Sequence, residues 1–164
     1  MLGYLNAKPK VGYFPGKQAR SEAQMPLELR VKDVMSMPVI IRETSTINDA
    51  VVALFLENVG SLFVADEESM LLGVVSRKDL LKVTLGNSMA ASMPISFVMT
   101  RTPLITVHPD DSVLDAAKKL DEHQIETLPV VIPHRTDKPI DKWEVVGRVS
   151  KSTMTKVLLR VAKG

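Results

Sequence analysis

The chain repeats itself, and the repeat restricts the folds open to it more than any other feature does. Val34-Met35-Ser36 returns as Val98-Met99-Thr100. Each triplet is soon followed by a proline and an apolar run suited to a strand: Pro38-Val39-Ile40-Ile41, then Pro103-Leu104-Ile105-Thr106-Val107. A polar turn and a helix start come next, and Thr46-Ile47-Asn48-Asp49-Ala50 matches Ser112-Val113-Leu114-Asp115-Ala116. Thr46 and Ser112 stand at N-cap positions. Asp49 and Asp115 follow three residues on, in openings that resemble capping boxes with Asp in place of Glu or Gln. Ile47, Val51, Leu54 and Phe55 recur at helical spacing, as do Val113, Ala116, Ala117 and Leu120, so each helix is predicted to bury one face.

Both helices give way to a polar cluster and a short apolar strand, Ser61 to Ala65 and Thr127 to Ile132. Second strands follow at Leu71 to Val75 and Val145 to Val149, then amphipathic helices at Arg77 to Leu85 and Lys151 to Val161. The copies differ mainly in the turn between the two strands. Asp66 to Ser69 is tight, whereas His134 to Lys142 is a polar surface loop. Each unit is strand–helix–strand–strand–helix, and at roughly 60 residues it is too small to stand well alone. One face of its sheet would also lack cover. Packing the two units sheet against sheet removes both problems, so the predicted fold is a mixed α+β or α/β intramolecular pseudo-dimer.

Composition narrows the function. Apolar residues make up 45% and aromatics 4%, so the core must be built from Val, Leu, Ile, Met and Ala. There is no cysteine, which excludes disulfides, thiolate zinc sites and cysteine nucleophiles. This fits a cytoplasmic protein. No run approaches the roughly 18 apolar residues of a membrane span, and the N-terminus lacks a secretory pattern. Residues 1–32 hold six basic residues against two acidic ones, giving +4, so the remainder carries −2. A basic head points to a polyanion or is a solvated tail. No Gly-x-Ser-x-Gly elbow, phosphate loop ending Gly-Lys-Ser/Thr or His-Glu-x-x-His occurs, and an enzyme is not expected. Asp110-Asp111 precedes a helix, where capping explains it. His108, His123 and His134 lack metal-pair spacing, and no metal is predicted. Met35, Met70 and Met99 are expected to fill core and interface. Trp143 either lies at a dimer face or braces its loop.

This duplicated order, with Gly73, Ser76 and Asp79 forming a closing Gly-x-x-Ser-x-x-Asp, resembles the cystathionine-β-synthase-type (CBS) repeat over residues 31–161. The stretches LFLENVGSLFVAD, GVVSRKDLLKV, VMTRTPLITV and GRVSKSTMTKVLL are most similar to the sensory half of CcpN-type bacterial transcriptional repressors. The resemblance implies a first CBS repeat at 31–88 and a second at 89–164. A winged helix-turn-helix head would precede them. Residues 1–16 are similar to that head's last hairpin, with Asn6 to Lys10 as a basic wing turn, or form an arm for dimer contacts. Residues 17–30 are the linker.

The resemblance also implies nucleotide clefts between the repeats, with the sugar-phosphate at the start of each last helix. In the first copy Ser76 would cap the helix and meet phosphate, Arg77 would add a charged donor, and Asp79 would accept from both ribose hydroxyls. Free N–H groups at the helix start would assist. Ile40, Ile41 and Leu62 would form the adenine slot with Ser61 at its rim. Ser-x-x-Asp is also an ordinary capping pattern. The second copy keeps Ser150, Lys151 and Arg148, but Thr153 replaces the aspartate, and one hydroxyl cannot bridge two others as a carboxylate does. Thr106, Thr127 and Pro129 complete this weaker site. The implied function is an AMP-, ADP- or ATP-sensing module of a repressor. It acts as a homodimer and reaches DNA only through a head absent from this chain, with no membrane role. The alternative is a free-standing CBS protein that binds a nucleotide and regulates a partner protein.

Overall fold

The computed structural model describes residues 29–101, 103–134 and 142–163, with side chains to Arg160. The expected wing hairpin, most of the linker and most of the His134–Lys142 loop lie outside the described residues. In chain order the elements are α1 (Val31–Val34), β1 (Ile40–Ile41), α2 (Ile47–Leu56), β2 (Ser61–Ala65), β3 (Leu71–Ser76), α3 (Arg77–Thr84), β4 (Thr100–Arg101), α4 (Val113–Glu122), β5 (Thr127–Pro133), β6 (Trp143–Ser150) and α5 (Lys151–Lys163). Two single 3-10 turns, Ala90–Ser92 and Ile95–Phe97, precede β4.

Local chemistry sets the ends of the helices. Thr46 Oγ1 accepts from the Asp49 amide at 3.1 Å, and Asp49 accepts from the Thr46 amide at 2.8 Å. These bonds hold the Asp49 carboxyl below its ordinary range. Ser112 caps α4 through the Asp115 amide at 3.0 Å. Both helices stop in the same way. Val59 donates to Leu54 O and Asn58 to Phe55 O, while Ile125 donates to Leu120 O and Gln124 to Asp121 O. Asn58 and Gln124 take the left-handed conformation (φ 49° and 51°) that such a stop requires. The core face of α2 is narrower than its spacing predicts. Ile47, Ala50 and Leu54 are buried, whereas Val51 and Phe55 are 45% and 83% exposed. The sheet accepts one stripe of this helix, and those two side chains lie beside it.

β1 runs parallel to β2, β2 antiparallel to β3, and β3 antiparallel to β4. β5 and β6 pair antiparallel. Val107 joins β5 in parallel at Val130, and Ser36 joins β6 at Arg148. The second sheet therefore mirrors the first. In both, the outermost partner comes from the lead-in of the other repeat. Ser36 and α1, which open the first repeat in sequence, belong to the second in space: Val31 is fully buried beside Val113, Leu120 and Val157. Ile95 and Met99, which open the second repeat, are buried in the first with Leu54, Val64 and Val75. The exchange covers two sheet edges that would otherwise be open.

The two sheets meet through Phe63, Leu71, Val131 and Val145, joined by Ile40, Val74 and Leu104. The Val145 amide also donates to Ser69 O at 3.0 Å across the two sheets. This is the sheet-to-sheet packing expected of the repeat. Met70 and Met99 are buried, and Met35 lies on Gly147.

The glycine of each copy admits the exchanged strand. A Cβ on Gly73 would lie 2.6 Å from Thr100 O, a backbone atom. On Gly147 it would lie 2.7 Å from Met35 Sδ, the end of a flexible side chain, and 3.3 Å from Ser36 O. Gly73→Ala is therefore expected to cost about 3 kcal/mol and Gly147→Ala about 1 kcal/mol. Urea denaturation of the two variants measures both values, and equal losses would contradict the difference in contacts.

Candidate functional site

Alternation along the strands sorts the residues singled out in the sequence. Each sheet has one face under its helices and one toward the other sheet. Phe63 and Val74 lie on the inter-sheet face, while Leu62, Val64 and Val75 lie under the helices. Ile40 pairs with Phe63, and Ser61 pairs with Ser76. Ile40, Ser61 and Ser76 therefore share the inter-sheet face. Ile41 pairs with Val64 and packs with Leu62 in the helix-covered core. Leu62 is fully buried there, so its side chain does not line the cleft and its backbone alone is available to a ligand.

The second sheet divides in the same way. Leu128, Val130 and Val149 lie under its helices, and Val131 and Val145 face the first sheet. Thr127, Pro129, Arg148 and Ser150 alternate onto the inter-sheet face, with Thr106 beside Val107. Thr127 pairs with Ser150 as Ser61 pairs with Ser76. Ser61 and Thr127, each 8% exposed, are the buried polar side chains among the described residues. The fold thus makes two equivalent polar corners, one where β2 meets β3 and one where β5 meets β6.

At the first corner β3 runs directly into α3. The Ser76 amide and hydroxyl both donate to Asp79 Oδ2, at 2.9 and 2.8 Å. The Asp79 amide donates back to Ser76 Oγ at 3.3 Å. The Arg77 amide donates to Gly60 O at 3.1 Å, and an Arg77 guanidinium nitrogen donates to Val59 O at 3.1 Å. Three of the first four N–H groups of α3 are therefore satisfied inside the protein, which leaves the Lys78 amide. The expectation of several free donors at this helix start is corrected: the capping box and the Gly60 carbonyl take them. The favourable helix dipole and the second oxygen of Asp79 remain.

The second corner copies this with weaker parts. Ser150 Oγ and Thr153 Oγ1 are 3.1 Å apart, and the Thr153 amide donates to Ser150 Oγ at 3.2 Å. The Lys151 amide donates to Glu126 O, and Lys151 Nζ lies 3.4 Å from a Glu126 carboxylate oxygen. Lys119 Nζ donates to Thr106 O at 2.9 Å. Arg148 stands where the first copy has Val74, and its Nε donates to Met37 O at 2.9 Å. Sequence reading missed Val59, Gly60 and Glu126 as anchors of Arg77 and Lys151. Their place in the polar cluster before each strand was the available signal.

The remaining polar candidates have local partners. His108 Nδ1 lies 2.9 Å from Val131 O, and its ring meets that of Trp143 at 5.1 Å between centroids. Trp143 thus braces the start of β6. His123 is the C-cap residue of α4.

The CBS domain family model matches residues 31–86 and 95–160. The chain is 44% identical over 167 residues to the transcriptional repressor CcpN of Bacillus subtilis, an alignment that spans 99% of this chain and 76% of that protein. Among solved structures it is similar to the CBS domain pair of protein MJ0100 in complex with 5-methylthioadenosine and S-adenosyl-L-methionine. The TM-score is 0.68 and the identity 28%, over 83% of this chain and 98% of that one. It is also similar to CBSX2 in complex with AMP, with a TM-score of 0.67 and 25% identity over 81% and 98% of the two chains.

Proposed function

The chain belongs to the CBS domain family, and from that premise we propose that it is the adenine-nucleotide-sensing regulatory part of a cytoplasmic transcriptional repressor of the CcpN type. The supporting observation is the first corner. Ile40, Ser61 and Ser76 share the inter-sheet face, and Asp79 is held at its edge with one carboxylate oxygen uncommitted among the described residues. A carboxylate fixed in this way can accept from the hydroxyls of a ribose, and the α3 dipole favours a phosphate beside it. The relatives' ligands, AMP and two adenosine sulfur compounds, share the adenosine that such a corner would take. The second corner lacks the carboxylate and is the weaker site. The role is regulatory, with no catalysis. DNA reading falls to a winged helix-turn-helix head and not to the repeats themselves.

The active form is a homodimer. From Ala50 to Leu56 the surface of α2 carries no charge, and Phe55 and Leu56 are 83% and 72% exposed. An uncharged face of this kind is best matched by a copy of itself. The proposal as a whole is tested by calorimetric titration of the intact chain with AMP, ADP and ATP. Micromolar binding at about one strong site per chain supports it. A folded protein that gives no heat with any of the three overturns it.

A further inference from the structure

The stretch Leu29–Met37 is bound to the second repeat at two places. At its start, the Val31 amide donates to Asp111 O and the Lys32 amide to Pro109 O, both at 2.9 Å, and the Val113 amide donates to Leu29 O at 3.1 Å. Lys32 Nζ meets Asp110 Oδ1 at 2.7 Å, a bond that lowers the Asp110 carboxyl and raises the Lys32 amine from their ordinary values. Val31 is fully buried in the second core. At its end, the Ser36 and Arg148 amides donate to each other's carbonyls at 3.0 and 2.9 Å, and Arg148 Nε holds Met37 O. Among the described residues no hydrogen bond joins Leu29–Met37 to residues 40–101. The segment is a strap on the second repeat, although its sequence leads into the first.

Arg148 joins the strap to the second corner. It shares a face of β6 with Ser150, roughly 7 Å along the strand. Its guanidinium offers five N–H donors, and the Met37 carbonyl occupies the one on Nε. Among the described residues the two Nη groups make no hydrogen bond, and they remain for an anion in a fork that suits phosphate. The first corner has Val74 at this position, which can do neither.

We propose that the second repeat, with the weaker corner, is the one that signals to whatever precedes Leu29. A nucleotide phosphate in the second cleft engages the Nη groups of Arg148 while Nε stays on Met37 O, and so tightens the strap. This rests on the nucleotide reading above, and it adds the route by which binding leaves the module. The first corner then sets overall affinity and the second sets the output.

Hydrogen exchange by mass spectrometry on the intact chain tests the proposal, with peptides covering 29–38 as readout and 71–76 as control. Without ligand, Arg148→Ala is expected to speed exchange at Ser36 and its neighbours about fivefold and leave β3 unchanged. Saturating ATP should slow strap exchange by a similar factor in the natural chain, and adenosine, which lacks phosphate, should not. Arg148→Lys keeps the charge but lacks the planar fork that holds the carbonyl on one edge and phosphate on the other, so its ATP response should fall well below that of the natural chain. Binding of ATP by calorimetry with unchanged strap exchange overturns the inference and leaves the nucleotide reading intact. An ATP response that persists in Arg148→Ala, or that appears at Thr100–Arg101 instead, also overturns it. Absence of any nucleotide binding overturns the reading and the inference together.

Discussion

Asp79→Ala is expected to weaken binding of AMP, ADP or ATP about 100-fold, as measured by calorimetry. The carboxylate would lose two charge-assisted hydrogen bonds to the ribose, each contributing about 1.5 kcal/mol. It also closes the capping box of α3, so the same variant should lose about 1 kcal/mol of stability. The two roles separate in Asp79→Asn. Asparagine's oxygen can still accept from the Ser76 amide, but it brings no charge to the ribose. That variant should keep most of the stability and still bind about 10-fold more weakly. If Asp79→Ala loses stability and binds as well as the natural chain, the aspartate is a cap alone and the site lies elsewhere.

Phe63→Ala should have the largest effect on folding, a loss of about 4 kcal/mol in urea denaturation. Phe63 is 1% exposed at the centre of the layer between the sheets, against Leu71, Val131 and Val145. Little nearby can collapse into the space it leaves, because those neighbours belong to two hydrogen-bonded sheets. The loss is a large share of the 5–15 kcal/mol that holds a domain of this kind. Phe55, also an aromatic of the first repeat, is 83% exposed, and Phe55→Ala should change the stability of a single chain by less than about 0.5 kcal/mol. The natural chain should unfold in one transition, because β3 and β6 share this core. Two separated transitions would show that the repeats are independent, and Phe63→Ala would then weaken the first alone.

Local features of the sequence were legible because they are decided within a few residues. Thr46 with Asp49 and Ser112 with Asp115 marked two helix starts, and Ser76 with Asp79 marked a third. The duplicated order of strands and helices required two small sheets to cover each other, and they do so through Phe63 and Val131. The replacement of Asp79 by Thr153 already separated a well-equipped corner from a poor one, and the hydrogen bonds at Ser150 retain that difference.

The faces of the strands were less legible. Leu72 is an extra residue opposite the Val64–Ala65 step, and Val146 opposite Val130–Val131. Each bulge shifts the alternation by one, so counting along the strand assigns the wrong face on one side of it. Ile41 and Leu62 lie on the regular side of these bulges, each one residue from a cleft-facing position (Ile40 and Ser61), so plain alternation puts them under the helices instead of in the cleft.

What the sequence determined by itself is the repeat, its helix caps and the pairing of two units, since periodicity and capping act over three to eight residues. Only the tertiary structure decided which copy each lead-in joins. Met35 at the start of the first repeat and Met99 at the start of the second sit in similar triplets, Val34-Met35-Ser36 and Val98-Met99-Thr100, and nothing local tells their destinations apart. The choice is made by contacts such as Ser36 with Arg148 and Thr100 with Val74, where a strand edge needs a partner and a glycine leaves room for one. Those contacts exist only once both sheets have formed. They attach the strap to the second repeat and place Arg148 between the strap and the cleft.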